Sequence, residues 1–202
     1  MKDGIIIKGI SGFYYVEVGQ DLYECKARGI FRKKGLSPLV GDRVAISIID
    51  ETDKRGNIEK IYERKTELVR PPIANIDKVL ITFSVKEPSP NMVLLDRFIV
   101  FSEKENLDIR IVLTKVDLDK DGTIVDRIVS DYEKIGYKVI PVSVETGQGV
   151  DQVRHELEGC ISVFAGQSGV GKSSILNAIE PDFKLETAEI SQKLGRGKHT
   201  TR

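Results

Sequence analysis

Gly166-Gln167-Ser168-Gly169-Val170-Gly171-Lys172-Ser173 decides how this chain is read, because it is a full GxxxxGK[ST] match. It follows the apolar run Ile161-Ser162-Val163-Phe164-Ala165 and opens a helical pattern at Lys172, the strand–loop–helix context the motif requires. Its glycines let the backbone curl until successive N–H groups converge, and a helix N-terminus adds partial positive charge, so the loop suits phosphate. Lys172 is placed to reach the β- and γ-phosphates and the Ser173 hydroxyl to ligate Mg²⁺. A glycine-rich turn without a ligand is the alternative reading.

Upstream, Thr114-Lys115-Val116-Asp117 ends the apolar run IRIVLT (109–114). A carboxylate at Asp117 can accept two parallel hydrogen bonds from the N1–H and exocyclic amine of guanine, donors that adenine lacks in that arrangement. The aliphatic stem of Lys115 can cover the base. These four residues resemble the NKxD motif by which GTPases choose guanine, with Thr in place of Asn, a change expected to weaken a loop-bracing hydrogen bond more than base recognition. Pro141-Val142-Ser143-Val144 ends the next strand, where GTPases use a small residue and its backbone N–H against guanine O6. Ser143 and Val144 therefore join the candidate base site.

Around these motifs the periodicity is that of an α/β sheet. DKVLITFSV (77–85), IRIVLT (109–114), YKVIPVS (137–143) and ISVFAG (161–166) read as buried strands, and helices are predicted over 91–106, 122–135, 149–158 and from Lys172. Asn91 is placed to cap the first helix, with Leu95, Phe98 and Ile99 on one face. Before Pro71-Pro72 the pattern differs. GIIIKGI (4–10), FYYVEV (13–18), LYECKAR (22–28), DRVAISI (42–48) and NIEKIYE (57–63) are β-rich, separated by turn signals and without a convincing helix. Five short strands predict a closed barrel, of which an OB-fold is the first expectation and another five-stranded barrel the second. Residues 1–70 and 71–202 are thus the expected domains.

The 202 residues carry 31 Lys+Arg against 31 Asp+Glu, with 40% hydrophobic and 31% charged residues, which excludes disordered, collagenous and membrane-spanning classes. The opening MKDGIIIKGI is too short in apolar residues for a secretory signal, so a cytoplasmic protein is expected. The net charge of zero hides basic stretches at Lys26, Arg28, Arg32, Lys33 and Lys34 and at Lys193, Arg196, Lys198 and Arg202. These suggest a phosphate-rich partner, though a solvated face reads the same. Cys25 and Cys160 belong to no CxxC pair and are expected in the core, and His155 is expected to be structural. Phe13, Tyr14 and Tyr15 offer either a base-stacking face or barrel core.

In an ordinary GTPase the phosphate loop precedes the base motif, whereas here Thr114 precedes Gly166, as after circular permutation. With that order behind an N-terminal barrel, the chain closely resembles the ribosome small-subunit-dependent GTPase A family. The marks are Arg70-Pro71-Pro72-Ile73-Ala74-Asn75-Ile76-Asp77, Leu94-Leu95-Asp96-Arg97-Phe98, the loop GQSGVGKSS ending at Ser174, and Gly195-Arg196-Gly197-Lys198-His199-Thr200-Thr201-Arg202. The resemblance implies slow hydrolysis of GTP to GDP, stimulated by the small (30S) ribosomal subunit during its late maturation, with that subunit and its rRNA as partners of a monomer. It implies GTP/GDP binding by Thr114–Asp117, Ser143, Val144 and Gly166–Ser174, and Mg²⁺ at Ser173 and at the switch threonine Thr201, with Thr200 the alternative. His199 is a candidate water-orienting group. It also implies that the DxxG strand and a Zn²⁺-binding domain lie beyond Arg202, leaving strand 161–165 an open edge. Asp119-Lys120-Asp121-Gly122 matches DxxG in form but precedes the loop and follows no strand of its own, so it is rejected. Two other functions stay open: an RNA-binding module whose nucleotide site only regulates docking, and a P-loop ATPase or kinase.

Overall fold

Pairing of the fourth strand back onto the first closes the first sheet on itself. In the computed structural model, which describes residues 1–33, 35–69, 72–181, 190–191 and 196–197, five strands form a closed barrel in the order β1-β2-β3-β5-β4. They are β1 (Lys2–Ile10), β2 (Phe13–Val18), β3 (Asp21–Ala27), β4 (Arg43–Asp50) and β5 (Arg55–Ile61). All neighbours are antiparallel except β3 and β5, the topology of an OB-fold. Ile6, Val16, Tyr23, Cys25, Val44, Ile46 and Ile58 fill the interior, with Tyr14 packed against them from the side. Burial pushes the Cys25 thiol up to about 11, so it stays a neutral core group. Phe31, from a short helix α1 (Gly29–Lys33) that the sequence did not suggest, closes one end.

The segment after β5 is strapped to the barrel. Arg64 grips the fully buried Asp42 with two hydrogen bonds of 2.7 and 2.8 Å. Asn75 accepts from Lys65 N and donates to Gly41 O, both at 2.9 Å. A small ladder joins β6 (Glu67–Leu68) to β7 (Ile73–Ala74). The compact unit consequently ends at Ile76, six residues past the break suggested by Pro71-Pro72, because β7 and Asn75 still bond back to the barrel.

The second unit is the expected parallel sheet. Strands β8 (Lys78–Ser84), β9 (Asp108–Thr114), β10 (Lys138–Val142) and β11 (Ser162–Ala165) lie in the order β10-β9-β8-β11. Leu80, Val112, Ile140 and Val142 pack against Val153 and Ile175, from helices α4 (Val150–Leu157) and α5 (Lys172–Ile179). The alternate residues Ile81, Phe83, Ile111 and Leu113 are buried on the opposite pleat. There α2 (Met92–Lys104) contacts β8 and β9, and α3 (Thr123–Glu133) contacts β10. Asn91 caps α2 by accepting from Leu94 N at 3.0 Å. Among the described residues β11 pairs only with β8 and forms one edge. Strand order reverses between β8 and β11, so a crevice opens at the carboxyl ends of the strands, the usual ligand position in such sheets. No described helix is long and apolar enough to cross a membrane.

Candidate guanine nucleotide site

The phosphate loop leaves the end of β11 through Gly166, whose φ is +145°; a Cβ there would lie 2.2 Å from Thr82 O. Only glycine lets the loop pass this close to β8. The loop then turns back into α5, with Gly171 at its N-cap. The ammonium of Lys172 curls over the loop, donating to Gly166 O at 2.9 Å and Gln167 O at 2.6 Å. Burial lowers its pKa, as expected for a cation held by neutral carbonyls with no carboxylate. A phosphate offers that ammonium the negative partner it lacks. The Ser173 hydroxyl, half-buried in the first turn of α5, bonds to no described residue.

The candidate base-reading loop starts at Lys115, held in the left-handed region at φ +58°, and runs through the single turn Val116–Leu118. Asp117 Oδ1 accepts a 2.6 Å hydrogen bond from Ser143 Oγ, which is fully buried. This aims the carboxylate and leaves its second oxygen without a protein donor among the described residues. The Ser143 N–H donates to Gln148 O at 3.0 Å, so the N–H left for a base oxygen is that of Val144, an exposed residue. The Lys115 ammonium donates to the backbone carbonyl of Glu87, which lays its stem across the site, and burial depresses its pKa.

Thr114 joins the two loops. Its buried hydroxyl lies 2.6 Å from Val170 O in the phosphate loop and 3.2 Å from Phe83 O in β8. Thr at this position, although shorter than Asn, makes a loop brace. With one proton, it serves the nearer carbonyl first.

The structure brings Thr114, Lys115, Val116, Asp117, Ser143 and Val144 to the same end of the sheet as Gly166–Ser174. His199, Thr200 and Thr201 lie outside the described residues, as do Lys34 and the side chains of Arg32, Lys33 and Arg196. Asp119 accepts from Val125 N at 2.8 Å and Asp121 from Thr123, so the rejected DxxG match serves the start of α3. One further correction, and two observations on polar side chains, concern single residues. Cys160 is only half-buried, its thiol 3.4 Å from Glu156 O. Arg28 is paired with Glu59 at 2.5 Å and is no free cation. His155 is exposed beside Glu158. Sequence reasoning missed Glu87, Gln148 and Gly149. The last was signalled by Thr146-Gly147-Gln148-Gly149, since a Cβ at Gly149 would sit 2.1 Å from Pro141 O.

A P-loop after the last described strand of a parallel sheet, a carboxylate in the turn that follows an earlier strand, and a closed barrel N-terminal to both in sequence define a circularly permuted GTPase with an OB-fold. The RsgA GTPase family model matches residues 61–202, and the RsgA N-terminal domain model matches residues 3–58. The chain belongs to the RsgA GTPase family. It is 52% identical, over all of its length and 69% of the relative's, to the small ribosomal subunit biogenesis GTPase RsgA of Alkaliphilus metalliredigens. It is 51% identical to the protein of that name from a Geobacillus species, again over its whole length and 69% of the relative's. Among solved structures, YjeQ from Thermotoga maritima superposes with a TM-score of 0.83 at 37% identity, covering 97% of this chain and 72% of that one. YloQ, described as a circularly permuted GTPase, gives 0.77 at 41% identity, covering 98% and 69%.

Proposed function

We propose that this protein binds GTP in the crevice above β8 and β11, hydrolyses it to GDP and phosphate, and acts on the small ribosomal subunit during its assembly. The observation that carries this reading is the Thr114–Val170 bond, which fixes the phosphate loop and the guanine-reading loop to each other across the permuted chain. The barrel is the rRNA-docking element, supported by Lys26 over the Phe13 ring at 5.0 Å and Lys8 over Tyr15 at 5.5 Å. The protein works as a cytoplasmic monomer. Any Zn²⁺ site is assigned outside the described residues, which hold no group of three or more side chains that could ligate a metal.

Hydrolysis has few steps for the protein to perform. Asp117 accepts from the guanine edge while Ser143 holds it in place, and Lys115 covers the base. Lys172 exchanges its two carbonyl partners for the β- and γ-phosphate oxygens, where its charge offsets the charge that develops as the terminal phosphoryl group departs. The loop amides between Gly166 and Lys172 add fixed dipoles. Mg²⁺, when bound, neutralises the phosphate charge, and the unengaged Ser173 hydroxyl would hold it, with Thr201 as the second protein ligand. Thr201 and His199 are assigned to closing the site over the terminal phosphate and to orienting the attacking water.

Nucleotide competition tests the reading. GTP and GDP are expected to displace a fluorescent guanine nucleotide where ATP does not, and purified small ribosomal subunits are expected to raise phosphate release. Asp117→Asn presents a donor to a guanine N–H, so GTP affinity should fall about tenfold while xanthosine triphosphate gains. ATP displacing the probe as well as GTP would make the site an ATPase or kinase site. Hydrolysis indifferent to subunits would remove the ribosomal role.

A further inference from the structure

Helix α2 has two flanks of different chemistry. Leu95, Ile99 and Ser102 are buried towards the sheet. On one flank the carboxylates are engaged: Asp96 accepts from Tyr132 Oη at 2.8 Å and Glu103 from Tyr137 Oη at 3.1 Å. The other flank carries Val93, Arg97, Val100, Phe101 and Lys104, a spacing that places all five on one stripe. Val93 is 64% exposed, Val100 69% and Phe101 46%, around a shallow depression whose rim also takes in Asp96, already engaged by Tyr132. Arg97 and Lys104 bond to no described residue, although acidic side chains stand on the same helix. They are two turns apart, about 10.5 Å along the axis, with Val100 between them.

Exposed apolar side chains in a row do not stabilise a helix in water, and two unpaired cations bracketing them ask for two negative groups at the same spacing. A phosphate backbone would meet the cations and gain nothing from the valines. A helix with two carboxylates one heptad apart and an apolar residue between them meets both. We infer that the outer stripe of α2 docks an acidic amphipathic helix belonging to a protein component of the assembling small subunit. The inference rests on the ribosomal role proposed above and adds a protein contact to it.

The test uses the full protein with purified small ribosomal subunits and, separately, naked small-subunit rRNA. Val100→Glu should weaken subunit binding about tenfold, as loss of a buried apolar anchor does, and Arg97→Glu with Lys104→Glu should do the same and flatten its salt dependence. Affinity for naked rRNA, GTP affinity and melting temperature should match the parent. Subunit binding retained by both variants would overturn the inference. So would a parallel fall in naked rRNA binding, which would make the stripe an RNA contact, or a parental dimer that Val100→Glu dissociates, which would make it a self-interface. A parent that binds no subunits fails the functional reading itself and removes the partner with it.

Discussion

The barrel and the parallel sheet solve the same problem in opposite ways. In the barrel every strand has two hydrogen-bonded neighbours, so no row of N–H and C=O groups is left at an edge. Among the described residues the sheet stays open, and its carboxyl end is given over to irregular loops that carry the candidate nucleotide site. Among the described residues each half nevertheless holds one buried carboxylate. Asp42 anchors the strap of the barrel through Arg64. Glu156, on α4, collects Lys78 at 2.6 Å, Lys138 at 2.6 Å and Arg110 at 2.8 Å from three neighbouring strands. Lys78 and Lys138 begin their strands, so Glu156 pins the end of the sheet opposite the site. A closed sheet holds itself together; an open one is clamped at one end so that the other can be shaped for chemistry.

The sharpest separation of the two halves is expected from Lys172→Ala. Phosphate release should fall about 10²–10³-fold with the melting behaviour of both units unchanged. Parental turnover would move the site elsewhere. Next come the two carboxylates. Removing one partner of a buried ion pair leaves an uncompensated charge and costs about 3–5 kcal/mol. Asp42→Ala should therefore destabilise the barrel and Glu156→Gln the sheet. Amide exchange read separately over residues 1–76 and 77–181 checks this, and loss of protection across both units from either variant would erase the distinction. A smaller effect is expected from Thr114→Val, which keeps the shape but strands the Val170 carbonyl at a cost of about 1–3 kcal/mol. Weakening of GTP binding should be recovered by Thr114→Ser, as calorimetry can show.

Acid should separate the halves more gently. Burial alone would raise the pKa of Glu156, but the hydrogen bonds from Lys138 and Lys78 and the charge of Arg110 win and hold it at about 2. A depressed folded-state pKa contributes stability that is complete above the unfolded value near 4.5 and lost as pH falls towards 2. The sheet should lose stability through that window, measured by circular dichroism, and Glu156→Gln should flatten the profile. An unchanged profile in that variant would show that the clamp adds nothing.

How much of this was legible in sequence depended on whether a residue's role was local. Strands β1–β5 and β8–β11 and helices α2–α5 followed from periodicity, and Asn91 was recognisable as a cap because capping is settled within four residues. The site was legible wherever a motif fixed its own geometry, as in Gly166–Ser173 and Thr114–Asp117. Helix α1 was not, because it is only five residues long and Phe31 is buried by tertiary packing in the barrel core. Cys160 was misplaced because apolar character was read without knowing which turn it would occupy. The carbonyls of Glu87 and Gln148 were invisible for a deeper reason: a backbone acceptor has no letter of its own, and its partner is chosen by tertiary structure.

Permutation also sets the order in which the molecule is made. The barrel is complete once Ile76 has been synthesised, and it can close with nothing missing. Strand β8 follows at once, but the strand that covers its second side, β11, pairs Ser162 with Lys78, about 80 residues later. At the roughly 5–20 residues per second of protein synthesis, one edge of β8 waits about 4–16 s for its neighbour. The Thr114–Asp117 segment thus leaves the ribosome before Gly166–Ser173, and the nascent chain has no phosphate loop until its sheet can take in β11.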